Sequence, residues 1–190
     1  MQNDIRAAIA SHKLVKVFVP VLNNVRKGYA FGGTSGSGKS TMAEAIVQHY
    51  KAKYQRITID YLLEQASQKK GKDVSGLTVR QQTTTLLGEL NAYALAHDWL
   101  EHIAIEDTHD FGLLASLKHL LGDRLKIIYV DAPLGTRQAR SSDAASVVGR
   151  DAANAQRGAD RVESIADIIV KNEARQTSAA QRLMRSLGGR

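Results

Sequence analysis

The sequence contains no cysteine among its 190 residues. That absence excludes disulfide scaffolds, thiol catalysis, iron–sulfur clusters and zinc ribbons, all of which depend on sulfur. No apolar run approaches the roughly 20 residues that a membrane-spanning helix needs, and the first residues lack the pattern of a secretory signal. The sequence therefore predicts a cytoplasmic protein that does not enter a membrane.

Aromatic residues are scarce at 5%, whereas the hydrophobic and charged fractions, 43% and 24%, are ordinary for a globular domain. A chain of this length can bury one core and carry small appendages. Lys and Arg exceed Asp and Glu by 26 − 19 = +7, which favours polyanionic partners such as phosphorylated small molecules, nucleic acid or an anionic membrane. Few aromatic rings leave little for base stacking, so nucleic acid is the less favoured of these partners.

Strand-like and helical segments alternate along most of the chain. The apolar, β-branched runs predict strands at 28–32, 55–60, 102–107, 126–132 and 167–170. The helical periodicity predicts helices at 39–50, 61–70, 78–97, 112–121, 134–145 and 174–187. Residues 2–10 and 14–21 predict a further helix and strand before this core. Alternation of this kind predicts an α/β fold with a parallel sheet covered on both faces.

Residues 33–40 read Gly-Thr-Ser-Gly-Ser-Gly-Lys-Ser and match the pattern G-x-x-x-x-G-K-[ST] at every fixed position. An apolar strand precedes the motif and an amphipathic helix follows it. Glycines let the backbone wrap closely around phosphate, and the N–H groups of the loop and the helix N-terminus then face the phosphate oxygens. Lys39 is expected to reach the β- and γ-phosphates, and the Ser40 hydroxyl to bind Mg²⁺. The predicted nucleotide-binding residues are Gly33, Thr34, Ser35, Gly36, Ser37, Gly38, Lys39, Ser40 and Thr41.

Two acidic residues, Glu106 and Asp107, end the strand predicted at 102–107. Ligands of open parallel sheets bind at the carboxyl ends of the strands, and a carboxylate there can hold Mg²⁺ through water. The register of the strand decides which of the two faces the metal, so both are candidates. The alternative is a helix cap, since Asp107 and Thr108 could both cap the helix that follows.

Asp60 ends the strand predicted at 55–60. At that place a carboxylate can orient an acceptor hydroxyl or take its proton during phosphoryl transfer. The alternative is an N-cap for the helix that begins at Tyr61. The sequence favours neither interpretation over the other.

Arginines accumulate late in the chain. Arg137 and Arg140 are three residues apart on a predicted helix and should share a face. The polar, glycine-containing segment 146–160 predicts a lid that closes over the phosphates, with Arg150 as one of its charged residues. Such a lid also excludes water from the reaction. Arg157 and Arg161 follow in the same region, where each taken singly is also compatible with an ordinary exposed side chain.

Taken together, the phosphate loop, Asp60, the segment Val130–Arg140, the pair Arg150-Asp151 and the segment Ala166–Asn172 resemble the P-loop kinases of small molecules. Nucleoside monophosphate kinases and dephospho-CoA kinase are examples of this group that the sequence resembles. The resemblance implies a three-layer α/β/α P-loop NTPase fold with a five-stranded parallel core, ATP and Mg²⁺ as cofactors, and transfer of the γ-phosphoryl group.

By position, the resemblance also implies four catalytic residues. Lys39 holds phosphate, Asp60 faces the acceptor, and Arg140 and Arg150 contact phosphoryl groups. The residues just after Asn172 are expected near the adenine.

The sequence departs from these kinases in three places. An N-terminal extension, residues 1–27, precedes the predicted kinase domain at 28–190. Thr-His-Asp-Phe follows the acidic pair, in place of the proline–leucine run expected of dephospho-CoA kinase. The stretch 61–98 matches no acceptor-binding pattern, although the location of Arg80 and His109 makes them candidate acceptor contacts.

The leading functional hypothesis is an ATP-dependent phosphotransferase acting on a small-molecule acceptor, with nucleotides and nucleosides among the candidates. One alternative is a polynucleotide 5′-kinase or a nucleic-acid-associated ATPase, which the net charge of +7 favours. Another is a non-enzymatic regulatory module that binds a nucleotide and orders the loop at 68–78.

Overall fold

The computed structural model describes residues 22, 24–50, 53–71, 73–74, 76–106, 108–173 and 176–188. Its strands are β1 (Lys27–Gly32), β2 (Tyr54–Thr58), β3 (His102–Glu106), β4 (Leu125–Asp131) and β5 (Ile168–Lys171). Its α-helices are α1 (Lys39–Tyr50), α2 (Ile59–Lys70), α3 (Val79–Ala96), α4 (Phe111–Leu121), α5 (Leu134–Arg140), α6 (Ala144–Gln156) and α7 (Gln176–Ser186). Short 3₁₀ helices cover Gly122–Arg124 and Ala159–Ile165.

The five strands form one sheet in the order β2-β3-β1-β4-β5, and every neighbouring pair is parallel. A parallel sheet needs apolar cover on both faces. One face packs against α2, α3 and α4 through a cluster that includes Leu62, Leu90 and Leu113. The other face packs against α1 and α7 through a cluster that includes Ile46 and Leu183. The predicted α/β fold, with its five-stranded parallel core and helices on both sides, is confirmed.

The order of the strands places the phosphate loop. The first core strand, β1, lies in the middle of the sheet between β3 and β4. Because all five strands run the same way, their carboxyl ends meet at one edge, and the loop after β1 lies at the centre of that edge.

Two boundary predictions are corrected. Asp60 does not end a strand: β2 stops at Thr58, and Asp60 lies in the first turn of α2. Thr58 is the N-cap, since its hydroxyl accepts a hydrogen bond from the Tyr61 N–H at 3.1 Å. The N-cap interpretation of Asp60 is therefore wrong, because the helix begins two residues earlier than its periodicity suggests.

The segment 146–160, predicted as a polar lid, is mostly helical. Helix α6 covers Ala144–Gln156, and the Asp143 side chain caps it by accepting from the Ser146 N–H at 3.2 Å. The helix predicted at 134–145 correspondingly ends at Arg140. The helix and strand predicted at 2–10 and 14–21 lie outside the described residues.

No helix in the described part of the chain is both long enough and apolar enough to cross a bilayer.

A stack of aromatic rings lies where β2 and β3 begin. The His102 ring stacks on Tyr50 with centroids 4.9 Å apart and on Tyr54 at 5.9 Å. The Nδ1 atom of His102 is buried and has no hydrogen-bond partner among the described residues. Burial lowers the pKa of the His102 imidazole, and Glu101 opposes that change only in part. The fold therefore favours neutral His102.

This preference predicts a loss of stability in acid. Unfolded His102 takes up a proton near pH 6.5, whereas the folded form resists protonation, so the free energy of unfolding falls as the pH drops below 6.5. Urea unfolding at pH 7.5 and 5.5 is expected to show a smaller fall for His102→Phe than for the wild type. His119→Phe, at an exposed position on α4, serves as the control and should keep the wild-type dependence. Equal pH dependence in all three proteins would contradict this account.

Candidate active site

The loop between β1 and α1 requires glycine at two positions for reasons of both conformation and space. Gly33 has φ 135° and Gly38 has φ 101°, in the region that other residues rarely adopt. A Cβ on Gly33 would lie 2.3 Å from the Val130 carbonyl oxygen, and one on Gly38 would lie 2.5 Å from Asn172 Nδ2. The backbone of the loop is therefore held tightly between the ends of β4 and β5.

Lys39 contacts the backbone of this loop and lines a cavity beside it. Its ammonium group donates to the carbonyl oxygens of Gly33 at 3.1 Å and Thr34 at 2.9 Å. The residue is 8% exposed. These two hydrogen bonds hold the ammonium group at the loop, where phosphate is expected to bind.

Asn172, just beyond β5, supports the loop through a hydrogen bond to its backbone. It is fully buried, and its Nδ2 donates to the Ser37 carbonyl oxygen at 2.8 Å. Its backbone N–H donates to the Asp131 carbonyl oxygen at 2.7 Å, which ties it to the end of β4. The sequence resemblance included Asn172 as the last residue of the segment Ala166–Asn172 but gave it no role, because nothing in the spacing places residue 172 against residue 37.

Removing this support should destabilise the protein. Asn172→Ala deletes the donor to the Ser37 carbonyl and leaves a buried acceptor without a partner, which costs about 1–3 kcal/mol. Urea unfolding measures the change in the free energy of unfolding. Gln48→Ala, which removes an exposed side chain on α1, is the control and should change stability by less than about 0.5 kcal/mol. A similar small change for Asn172→Ala would refute the supporting role.

A cavity of about 670 Å³ opens at the carboxyl edge of the sheet. That volume lies within the range of about 300–1,000 Å³ typical of small-molecule sites. Its walls are Ser35, Gly36, Gly38, Lys39, Ser40, Thr41, Asp60, His109, Arg140, Arg150, Ala153, Asn154 and Arg157. The structure thus brings the phosphate loop together with Asp60 and two arginines that the sequence analysis had singled out from distant segments, Arg140 and Arg150.

The charges that line this cavity are unbalanced. Lys39 and the three arginines at 140, 150 and 157 carry positive charge, and Asp60 supplies the carboxylate among the lining residues. Cations that share one cleft reinforce one another and favour an anionic ligand. The Nη1 atom of Arg140 is buried and has no hydrogen-bond partner among the described residues, while its Nη2 donates to the Asn172 carbonyl oxygen at 3.4 Å. This arrangement fits the phosphate groups of a nucleotide.

The late arginines divide into two groups. Arg140, Arg150 and Arg157 line the cavity. Arg137, three residues before Arg140 on the same helix α5, is 6% exposed, does not line the cavity and donates to the Ser35 carbonyl oxygen at 3.0 Å. Arg161 lies over the Phe111 ring, with its guanidinium carbon 4.5 Å from the ring centroid, a packing contact.

Glu106 at the end of β3 is 2% exposed and is not among the residues that line the cavity. Its carboxylate pairs with Arg56 Nε at 2.6 Å, and Arg56 Nη1 pairs with Glu44 on α1 at 3.0 Å. The parallel register places Thr58 opposite Glu106, which brings Arg56 within reach. A metal role for Glu106 stays a prediction, and Asp107 lies outside the described residues.

Of the two candidate acceptor contacts, His109 lines the cavity, whereas Arg80 is exposed on α3 and does not. The helix cap predicted for Thr108 is wrong, because the Asp110 side chain caps α4 by accepting from the Leu113 N–H at 2.9 Å. Thr108 is fully buried instead, and its hydroxyl donates to the Phe31 carbonyl oxygen at 2.7 Å, which joins the chain after β3 to β1.

Comparison with known proteins adds to this geometry. No protein-family model and no curated protein matches the sequence. Among solved structures, an uncharacterized protein from Eubacterium ventriosum is similar with a TM-score of 0.59 and 13% identity, covering 87% of this chain and 99% of that chain. A sugar kinase from Janibacter is similar with a TM-score of 0.53 and 15% identity, covering 85% and 94%.

Shikimate kinase from Acinetobacter baumannii, solved in complex with shikimate, is also similar, with a TM-score of 0.53 and 14% identity over 86% of this chain and 94% of that chain. The identities are low, so these similarities concern the fold. The chain has the fold of the P-loop kinases of small molecules.

Proposed function

We propose that this chain is an ATP-dependent phosphotransferase that moves the γ-phosphoryl group to a hydroxyl of a small-molecule acceptor. The observation that carries the proposal is the single cavity in which the phosphate loop, Asp60 and three arginines meet. A loop of this kind binds a nucleoside triphosphate, and a carboxylate across the same cavity can serve a second substrate.

In the proposed reaction, different residues bind phosphate, accept the proton and hold the metal. The loop amides and Lys39 hold the β- and γ-phosphates. Asp60 orients the acceptor hydroxyl and takes its proton as the acceptor oxygen bonds to phosphorus and the bond from the γ-phosphorus to ADP breaks. Ser40, with Glu106 or Asp107 as the predicted acidic partner, would hold Mg²⁺. When bound, the metal would neutralise charge between the β- and γ-phosphates.

The arginines act on the charge of the transferring group. Arg140, Arg150 and Arg157 line the same cavity as the loop, and Arg150 Nε donates to the Ser35 hydroxyl at 2.9 Å. Their guanidinium groups are expected to stabilise the oxygens of the γ-phosphoryl group. Helix α6 carries Arg150, so it is the part of the predicted lid that reaches the reacting centre and helps to exclude water.

An acceptor screen tests the proposal. ADP release is measured with MgATP alone and with nucleosides, nucleoside monophosphates, sugars, hydroxy acids and 5′-hydroxyl oligonucleotides. The expected result is strong stimulation by one chemical class. ATP hydrolysis that no acceptor stimulates, at a rate unchanged by Lys39→Ala, would contradict the proposal and favour a role in binding alone.

A further inference from the structure

Ser35, the third residue of the phosphate loop, has its three polar groups held by charged side chains from α5 and α6. Its N–H donates to Asp151 Oδ1 at 2.8 Å, and its carbonyl oxygen accepts from Arg137 Nη1 at 3.0 Å. Its hydroxyl accepts from Arg150 Nε at 2.9 Å. Asp151 Oδ2 also pairs with Arg137 Nη1 at 2.5 Å, which links two of the three contacts to each other.

Arg137 is well placed to fix the loop because it is nearly inaccessible to solvent. Besides Ser35 and Asp151, it binds the Ala132 carbonyl oxygen through Nε at 3.0 Å. A Cβ on Gly36 would lie 3.5 Å from Arg137 Cβ, so the loop backbone runs against the stem of this side chain. A buried charge is tolerated only where its partners satisfy it in a defined geometry. The position of Arg137 therefore restricts the position of the loop.

Arg150 and Asp151 are consecutive residues of α6 that contact different parts of the site. Asp151 contacts the backbone of the loop and is not among the residues that line the cavity, whereas Arg150 lines the cavity. Because one helical turn carries both, any contact that fixes Asp151 against Ser35 also fixes where Arg150 enters the cavity. The loop and the cavity-facing arginine are thus coupled through Ser35.

We propose that Arg137 and Asp151 form a clamp on Ser35, here called the Ser35 clamp, which positions both the phosphate loop and Arg150 for phosphate. The inference rests on the proposed function, since it concerns the same phosphate site. Both members of the clamp are positioning residues, because they act through Ser35. A loop that is already held in its binding geometry loses less entropy when phosphate binds, and its amides need no reorganisation during transfer.

The first test compares Asp151→Ala with Asp151→Asn. Asparagine keeps an oxygen that can accept from the Ser35 N–H, whereas alanine does not. Asp151→Ala is expected to weaken MgATP binding in calorimetry by about tenfold or more, the effect of losing a charge-assisted hydrogen bond. It should also speed amide hydrogen exchange in residues 33–38. Asp151→Asn should recover a substantial part of both.

Asp143→Ala is the matched control. It removes the N-cap of the same helix α6 without touching Ser35, so it reports the effect of destabilising the helix alone. We expect MgATP affinity and loop exchange to stay close to those of the wild type. If Asp143→Ala reproduces the effects of Asp151→Ala, or if Asp151→Ala changes neither quantity, the Ser35 clamp is refuted.

A double variant separates positioning from folding. Arg137→Met combined with Asp151→Leu replaces the ion pair by apolar side chains, an exchange that commonly preserves stability. The expected result is cooperative melting, at a temperature lowered by the loss of the donors to the Ser35 and Ala132 carbonyl oxygens, together with weak MgATP binding and fast loop exchange. Wild-type binding and exchange in this variant would overturn the inference.

The failure of the clamp and the failure of the proposed function give different results. Wild-type protein that takes up no MgATP would contradict the proposed function. Hydrogen exchange in the loop needs no ligand, so unchanged exchange in Asp151→Ala contradicts the clamp whether or not the protein binds nucleotide.

Discussion

Lys39→Met is expected to lower kcat/KM by about 10²–10³-fold or more, the range found when a preorganised donor to developing charge is removed. The Lys39 ammonium group donates to two carbonyl oxygens of the loop, and the residue is 8% exposed. Methionine keeps most of the length of the side chain and removes the charge, so the change tests electrostatics and not packing. Calorimetry with MgATP and steady-state kinetics with the acceptor found in the screen measure the effect.

The control for this variant is Lys53→Met, which removes a lysine whose side chain is 62% exposed. An exposed ion pair contributes about 0–1 kcal/mol to stability, so Lys53→Met should keep both the fold and the activity. If Lys39→Met retains wild-type nucleotide affinity and rate, the phosphate-binding role of the loop is wrong.

Asp60→Asn is expected to lower kcat by about 10²–10⁴-fold with a much smaller change in the KM for MgATP. This range is typical of losing a general base. Asparagine keeps the shape and the hydrogen-bonding oxygen of the side chain but cannot take the proton of the acceptor. The KM for MgATP should change little because Asp60 belongs to α2 and is not part of the loop proposed to bind the nucleotide.

Measurements of unfolding will show whether the lower kcat of Asp60→Asn has a structural cause. Asp60 lies in the first turn of α2, where a negative charge contributes about 0.3–1 kcal/mol through the helix dipole. Asp60→Asn should therefore unfold at a urea concentration only slightly below that of the wild type. Asp123→Asn, at an exposed position in the short helix before β4, should leave kcat unchanged. A kcat for Asp60→Asn within threefold of the wild-type value would remove Asp60 from the chemistry.

The phosphate loop was predictable from the sequence because its function depends on contiguous residues. Glycine is strongly favoured where φ is positive, and the 33–40 stretch supplies it at 33, 36 and 38. The strands were predictable for a similar reason, since each is a short apolar run between turns. The boundaries of the elements were harder to predict. Thr58 both ends β2 and caps α2, and the apolar pattern through Ile59 could not distinguish the end of the strand from the start of the helix.

The partners of the late arginines were not predictable. Arg137 and Arg140 are three residues apart on one short helix, yet one is buried beneath Ser35 and the other lines the cavity. The same limitation applies to Glu106, whose residue type suits a metal but whose carboxylate pairs with Arg56 on the neighbouring strand. Periodicity describes which residues share a face of an element, but it does not say which element that face will meet.

By itself, the sequence determined the parallel α/β class and the position of the phosphate loop, because both follow from local preferences: apolar periodicity and the conformational freedom of glycine. Only the tertiary structure decided that β1 lies between β3 and β4 and that Asn172, Arg137 and Asp151 close around the loop. Those contacts join residues more than a hundred positions apart, and they exist because the order of strands in the sheet, which no local preference encodes, brings the ends of β1, β4 and β5 to one edge.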